Sequence, residues 1–245
     1  MLKYLMQIKY APIYLPIFVV LWLGLYLDSL ALSKSFTYNQ WLTNLLVLFN
    51  FIWVYKNVTK QIQKLMLYGL VVALGGEVVF SLILGMYHYR LDNIPLYVPL
   101  GHAIIYASIY YITKEPWVQE HQSKIVSLLY PIMILYSLSW LLFSQDVFGF
   151  LCMLGIVAVF ARRPQTKLYF LLMFIMIVYL ELLGTHYGCW VWPNTWLDTF
   201  GWIPSANPPS GISLFYFAFD AGCLWMYKQF NPHKWKRLKQ IKSLS

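Results

Sequence analysis

Residues 76–106 read GEVVFSLILGMYHYRLDNIPLYVPLGHAIIY, and residues 180–216 read LELLGTHYGCWVWPNTWLDTFGWIPSANPPSGISLFY. The two stretches share an ordered series of landmarks. A Glu sits inside an apolar run (Glu77, Glu181), and a Gly follows seven or eight residues later (Gly85, Gly188). Two aromatics spaced by one come next, Tyr87 and Tyr89 or Trp190 and Trp192. Then come Ile-Pro (Ile94-Pro95, Ile203-Pro204), Pro-x-Gly (Pro99 to Gly101, Pro209 to Gly211), and a Tyr five residues on (Tyr106, Tyr216). Such self-similarity reads as an internal repeat.

The surrounding sequence is that of a membrane protein. Of 245 residues, 60% are hydrophobic and 11% charged, against about 25% charged in soluble domains. A membrane span needs about 20 mostly apolar residues. Eight candidate spans cover roughly 12–32, 41–55, 65–87, 95–112, 125–143, 147–161, 168–187 and 210–227, the second and sixth being short. The first run is too long for the roughly 7–15-residue core of a signal peptide and reads as a retained helix. Tyr and Trp are abundant, as interfacial belts require.

Charge orients this array. With the N-terminus inside, sixteen of the eighteen Lys and Arg fall on the inner side and only Lys34 and Arg90 on the outer. Basic residues concentrate on the cytoplasmic side of membrane proteins. The net charge of +9 therefore reports topology and contact with anionic headgroups by the basic tail, not nucleic-acid binding. The expected fold is an all-α polytopic bundle of about eight helices with both termini cytoplasmic. Two parallel four-helix repeats, 1–114 and 115–228, precede a basic tail, 229–245. The expected location is a plasma membrane, the inner membrane of a bacterium. The three cysteines, Cys152, Cys189 and Cys223, sit in or beside apolar runs and read as buried thiols.

Carboxylates within apolar helices are costly unless paired, hydrated or protonated, so they mark function. Glu77, Glu181, Asp220 and His102 are the candidate catalytic groups. Helical spacing puts Glu77, Ser81 and His88 on one face, Glu181 and Thr185 on another, and Ser213, Tyr216 and Asp220 on a third. With the loops closing over them, Tyr87, His88, Tyr89, Tyr106, His186, Trp190, Trp192, Asn207 and Tyr216 are the candidate substrate-binding groups. No tightly spaced His/Glu ligand pair occurs, so the sequence specifies no metal site. No phosphate loop or dinucleotide fingerprint occurs either.

The series Glu, Gly-x-aromatic-x-aromatic, Ile-Pro and a proline-rich helix start resembles the membrane carotenoid-biosynthesis hydratases. The matching residues are Glu77, Gly85, Tyr87, Tyr89, Pro95 and Pro99, echoed by Glu181, Gly188, Trp190, Trp192, Pro204 and Pro209, with Trp where that pattern has Phe or Tyr. The likeness spans about a third of the chain. It implies cofactor-independent acid–base chemistry on an isoprenoid or other lipophilic substrate within the bilayer, with membrane lipids as neighbours. Repeated halves with carboxylates in the membrane also describe proton-coupled carriers, and carboxylates paired across helices would suit a non-catalytic assembly protein.

Overall fold

The computed structural model describes residues 8–197, 200–233 and 235. Lys3, Lys234 and the tail residues beyond Trp235 lie outside the described residues. The protein is all-α in class. Eight long helices follow in order: α1 (Ala11–Leu27), α2 (Asn39–Asn57), α3 (Lys60–Glu77), α4 (Tyr97–Thr113), α5 (Gln122–Ser144), α6 (Val147–Arg162), α7 (Lys167–His186) and α8 (Ser213–Phe230). Each apolar stretch read from the sequence falls on one of them. Short helices Leu30–Ser33 and Pro116–Glu120 sit in connections.

Four of these segments are long and apolar enough to cross a membrane: Ala11–Ser33, Lys60–Ile83, Gln122–Ser144 and Pro164–His186. The others are shorter or more polar for a physical reason. Helix α2 turns Asn39, Gln40, Thr43, Asn44 and Asn50 inward, and α4 is enclosed by α1, α2, α3 and α7. The outer helices show the opposite pattern. Only Met133 and Ser137 of α5 are buried, and Phe143 is 88% exposed. A surface this apolar needs an apolar covering.

Contacts at the helix ends set the bundle's polarity. At one end the Glu115 carboxylate accepts from the Lys9 and Tyr10 backbone N–H groups, and Lys64 Nζ donates to Asn231 Oδ1. At the other end the long α3–α4 and α7–α8 loops meet. Strands β1 (His88–Tyr89) and β2 (Trp190–Val191) pair antiparallel, with His88 opposite Val191 and Tyr89 opposite Trp190. A second hairpin, β3 (Thr195–Trp196) with β4 (Phe200–Pro204), extends the α7–α8 loop.

The third helix differs from its sequence reading. After Glu77 it relaxes into a π-helical turn, Val78–Ile83, and stops. Gly85 then takes φ +58°, as Gly188 takes φ +68° just past α7. Both occupy the left-handed position that ends helices and favours glycine. Residues 84–87 therefore leave the helix, and His88 does not continue the Glu77–Ser81 face.

Candidate functional site

Each glutamate is held by the two aromatics of its own loop. The strand pair explains how, because successive side chains in a strand point to opposite faces. Tyr89 and Trp190 turn inward, while His88 and Val191 turn outward. Tyr87 Oη and Tyr89 Oη each donate to Glu77 Oε2 at 2.8 Å. Trp190 Nε1 and Trp192 Nε1 donate to Glu181 Oε2 at 2.9 and 3.1 Å. Burial, then the neighbouring Glu77 carboxylate, pushes the Tyr89 phenol well above its usual range, so it stays protonated and donates.

The other oxygen of each carboxylate faces a helix. His102 Nε2 on α4 lies 3.3 Å from Glu77 Oε1. Tyr216 Oη on α8 donates to Glu181 Oε1 at 3.3 Å. The His102 and Tyr216 rings stack with centroids 4.8 Å apart. The two carboxylates are thus bridged by a stacked pair of rings, each in polar contact with one of them. Tyr87 and Trp192 pack at 4.6 Å on the loop side.

Both glutamates line one partly enclosed cavity. Tyr87, Tyr89, His102, Trp190, Trp192 and Tyr216 line it with them, and the rest of the wall is mainly apolar. Close approach shapes the Glu181 side. A Cβ on Gly184 would overlap the Trp190 ring, so the glycine lets the indole lie against α7.

The remaining sequence candidates lie elsewhere. His88 and His186 are exposed. Asn207 is also exposed, and its Oδ1 accepts the Trp192 backbone N–H at 2.9 Å, so it positions that residue. Asp220 is half-buried on α8 outside the cavity lining. Tyr106 packs on Tyr169 away from the lining. The cysteines are free and buried. Burial raises the Cys189 thiol, which donates to Leu25 O. Among the described residues no three of His, Cys, Asp and Glu gather into a group that could hold a metal ion.

Two buried aspartates escaped the sequence reading. Asp28, at the end of α1, pairs with Arg90 at 2.6 Å and accepts from Tyr97 Oη at 2.7 Å. Arg90 also donates to Asn39 Oδ1. Asp146, at the start of α6, accepts the N–H groups of Gly149, Ala206 and Ser210. Each ties the long loop of its half to a helix end beside the carboxylates. An Asp just past an apolar run was the available signal in both cases. No protein-family model matches this chain, and no curated protein or solved structure matches it either.

Proposed function

We propose that this protein is an integral membrane enzyme that uses Glu77 and Glu181 for acid–base chemistry on a lipophilic substrate within the bilayer. One observation carries the reading: two buried carboxylates, each held by ring donors, face the same apolar cavity. Lipid would cover the exposed apolar faces of α5 and its neighbours. In this reading all eight helices cross, with both termini on the cytoplasmic side. The end bearing Lys9, Lys64 and Glu115 is the basic one. Two parallel repeats are supported by the matched carboxylate cradles and by packing, since α8 lies on α3 as α7 lies on α4.

The chemistry follows from the donors. A proton from the Glu77–His102 pair adds to a C=C bond and leaves a carbocation. The faces of Tyr87, Trp192 and Tyr216 stabilise that cation. Water then attacks and loses its proton to Glu181, giving net hydration. Alternatively Glu181 removes a proton from the adjacent carbon, giving an isomer. The proton gained by Glu181 is then released to water and Glu77 is reprotonated from water, which resets the site. No cofactor enters either route. The resemblance to carotenoid-biosynthesis hydratases agrees with this reading.

Glutamine suits the test because its carbonyl keeps the two loop donors while its amide cannot transfer the proton. In a host making polyisoprenoids, the wild-type protein should yield a lipid gaining the mass of water or shifting in retention. Glu77→Gln and Glu181→Gln should each reduce that product by about 10²–10⁴-fold. Lipid extracts identical for the wild-type and variant proteins would sink the proposal. A carrier is the second reading, favoured by the π-helical break immediately after Glu77. Proton flux into proteoliposomes that requires Glu77, without lipid conversion, would establish it instead.

A further inference from the structure

The acid–base reading above, on which this inference rests, requires water at the carboxylates. Hydration consumes one water per turnover, and isomerisation exchanges protons with water. The cavity wall is mainly apolar, and the long loops meet at one end of the bundle. Three polar side chains that the cavity chemistry does not use stand toward the opposite, basic end.

Tyr106 lies four residues past His102, and Asp220 four past Tyr216, each about 6 Å further along its helix. Helices α4 and α8 both run from the loop end to the basic end, and their His102 and Tyr216 rings stack. Tyr106 and Asp220 therefore occupy the next level between these helices. Asp220 is on the inward stripe of α8, three or seven residues from the buried Ser213, Cys223 and Tyr227. Tyr169 of α7 completes the group. Its ring packs on Tyr106 at 6.1 Å, and its electrostatic neighbour is Cys223, three residues past Asp220. A Cβ on Gly69 would meet both Ala103 and Cys223 at 3.8 Å, so α8 reaches α4 at this level.

Protein groups satisfy none of the three. Tyr106 Oη and Tyr169 Oη are buried with no hydrogen-bond partner among the described residues. Asp220 forms no hydrogen bond or ion pair among the described residues. Leaving three such groups unpaired inside an apolar bundle is costly. A buried water takes about two to four polar partners, which these side chains supply. Asp220 is half-buried rather than closed in, which leaves room beside it. Tyr110 continues the α4 stripe one turn past Tyr106, half-buried under Lys114. The polar stripe thus runs from the cavity to the basic end.

We propose that Tyr106, Tyr169 and Asp220 bind buried water between α4, α7 and α8, and that this water feeds the carboxylate cavity from the basic end. Asp220 is a positioning residue, which holds water and touches no reacting atom. Water entering here attacks the substrate cation or exchanges protons with Glu77 and Glu181.

Hydroxyl radicals generated by X-rays mark side chains that touch bound water, and the full chain in nanodiscs can be probed without substrate. Tyr106 and Tyr169 should oxidise at least about fivefold faster than Phe160 and Phe174, which are each 1% exposed. Asp220→Leu should cut that oxidation at least about fivefold, since the water loses its charged partner. Tyr106→Phe removes a hydroxyl with no protein partner and should fold. It should lower Tyr169 oxidation, which carries the test if Asp220→Leu does not fold. Ser137→Ala, at another buried hydroxyl without a partner, should leave both tyrosines as reactive as in the wild-type protein. Tyrosines no more reactive than the two phenylalanines overturn the proposal. So does oxidation indifferent to both Asp220→Leu and Tyr106→Phe, or an equal fall in Ser137→Ala. Where lipid conversion is measured, Asp220→Asn should slow it about tenfold, less than loss of a catalytic carboxylate. Azide, a small permeant weak acid, should restore the rate. Conversion unchanged by Asp220→Asn, or a loss that azide leaves in place, overturns the supply role. Unreactive tyrosines with carboxylate-dependent conversion intact strike this inference only, and reactive tyrosines without conversion strike the enzymatic reading only.

Discussion

The two halves of the chain hold their buried carboxylates with the same geometry and different atoms. Around Glu77 the loop donors are phenols and the helix partner is an imidazole. Around Glu181 the loop donors are indoles and the helix partner is a phenol. A hydroxyl both donates and accepts, so Tyr87 and Tyr89 can turn to suit either protonation state of Glu77. An indole N–H only donates, so Trp190 and Trp192 fix Oε2 of Glu181 as an acceptor. An imidazole presents two ring nitrogens, a phenol a single oxygen. The frame is shared while the donor and acceptor chemistry is not.

The loop clasps differ in the same manner, and their loss should have the largest effect on stability. Asp28 is met by a buried arginine, Asp146 by backbone N–H groups. Asp28→Ala leaves Arg90 buried without its countercharge and should lower the unfolding free energy by about 3–5 kcal/mol. Asp146→Ala removes an acceptor from uncharged amides and should lower it by about 1.5–3 kcal/mol. Unfolding in detergent micelles measures both. Replacing Asp28 and Arg90 together with apolar residues should cost less than Asp28→Ala alone, since no orphan charge remains. Equal losses for the two aspartates would erase the distinction between the clasps.

The carboxylate cradles should separate by a smaller margin. Trp190→Phe removes one of two fixed donors from Glu181 and should destabilise by about 1–3 kcal/mol. Tyr89→Phe should cost less, because Tyr87 and His102 can both adjust toward Glu77. The order matters more than the values. Reversal of that order in micelle unfolding would mean that ring packing, not donor chemistry, distinguishes the halves.

Much of this was legible because charge inside an apolar run is rare. Glu77 and Glu181 stood out on that ground, and the aromatics spaced by one named their donors. Alternation in an extended strand turned Tyr89 inward and His88 outward, whereas helical spacing had joined His88 to Glu77. The two differ because the π-helical turn that ends α3 leaves no mark in the apolar run 78–83. In the sequence Arg90 is only an outer-side charge. Its partner Asp28 lies 62 residues away, so the pair exists only once α1 and the α3–α4 loop meet. Helical spacing favours Asp220 and the repeat favours Tyr106, but only packing decides which helix face looks into the cavity.

The finest contrast lies within the helix pairs. Thr43 on α2 donates its hydroxyl to Gly24 O on α1. That carbonyl already accepts the Asp28 backbone N–H at 3.0 Å, so Thr43→Val leaves no orphan acceptor. The expected loss is about 0.6 kcal/mol, the average for such bonds between membrane helices. In the second half, Ser137 Oγ on α5 is buried with no hydrogen-bond partner among the described residues. Ser137→Ala removes an unsatisfied group and should leave stability unchanged or raised. Thr43 sits four residues from Asn39, which holds Arg90, so the pair of variants asks whether cost follows proximity to the clasp or the loss of an acceptor's last partner. A Thr43→Val penalty approaching that of Asp28→Ala would mean that the α1–α2 seam and the clasp act as one unit.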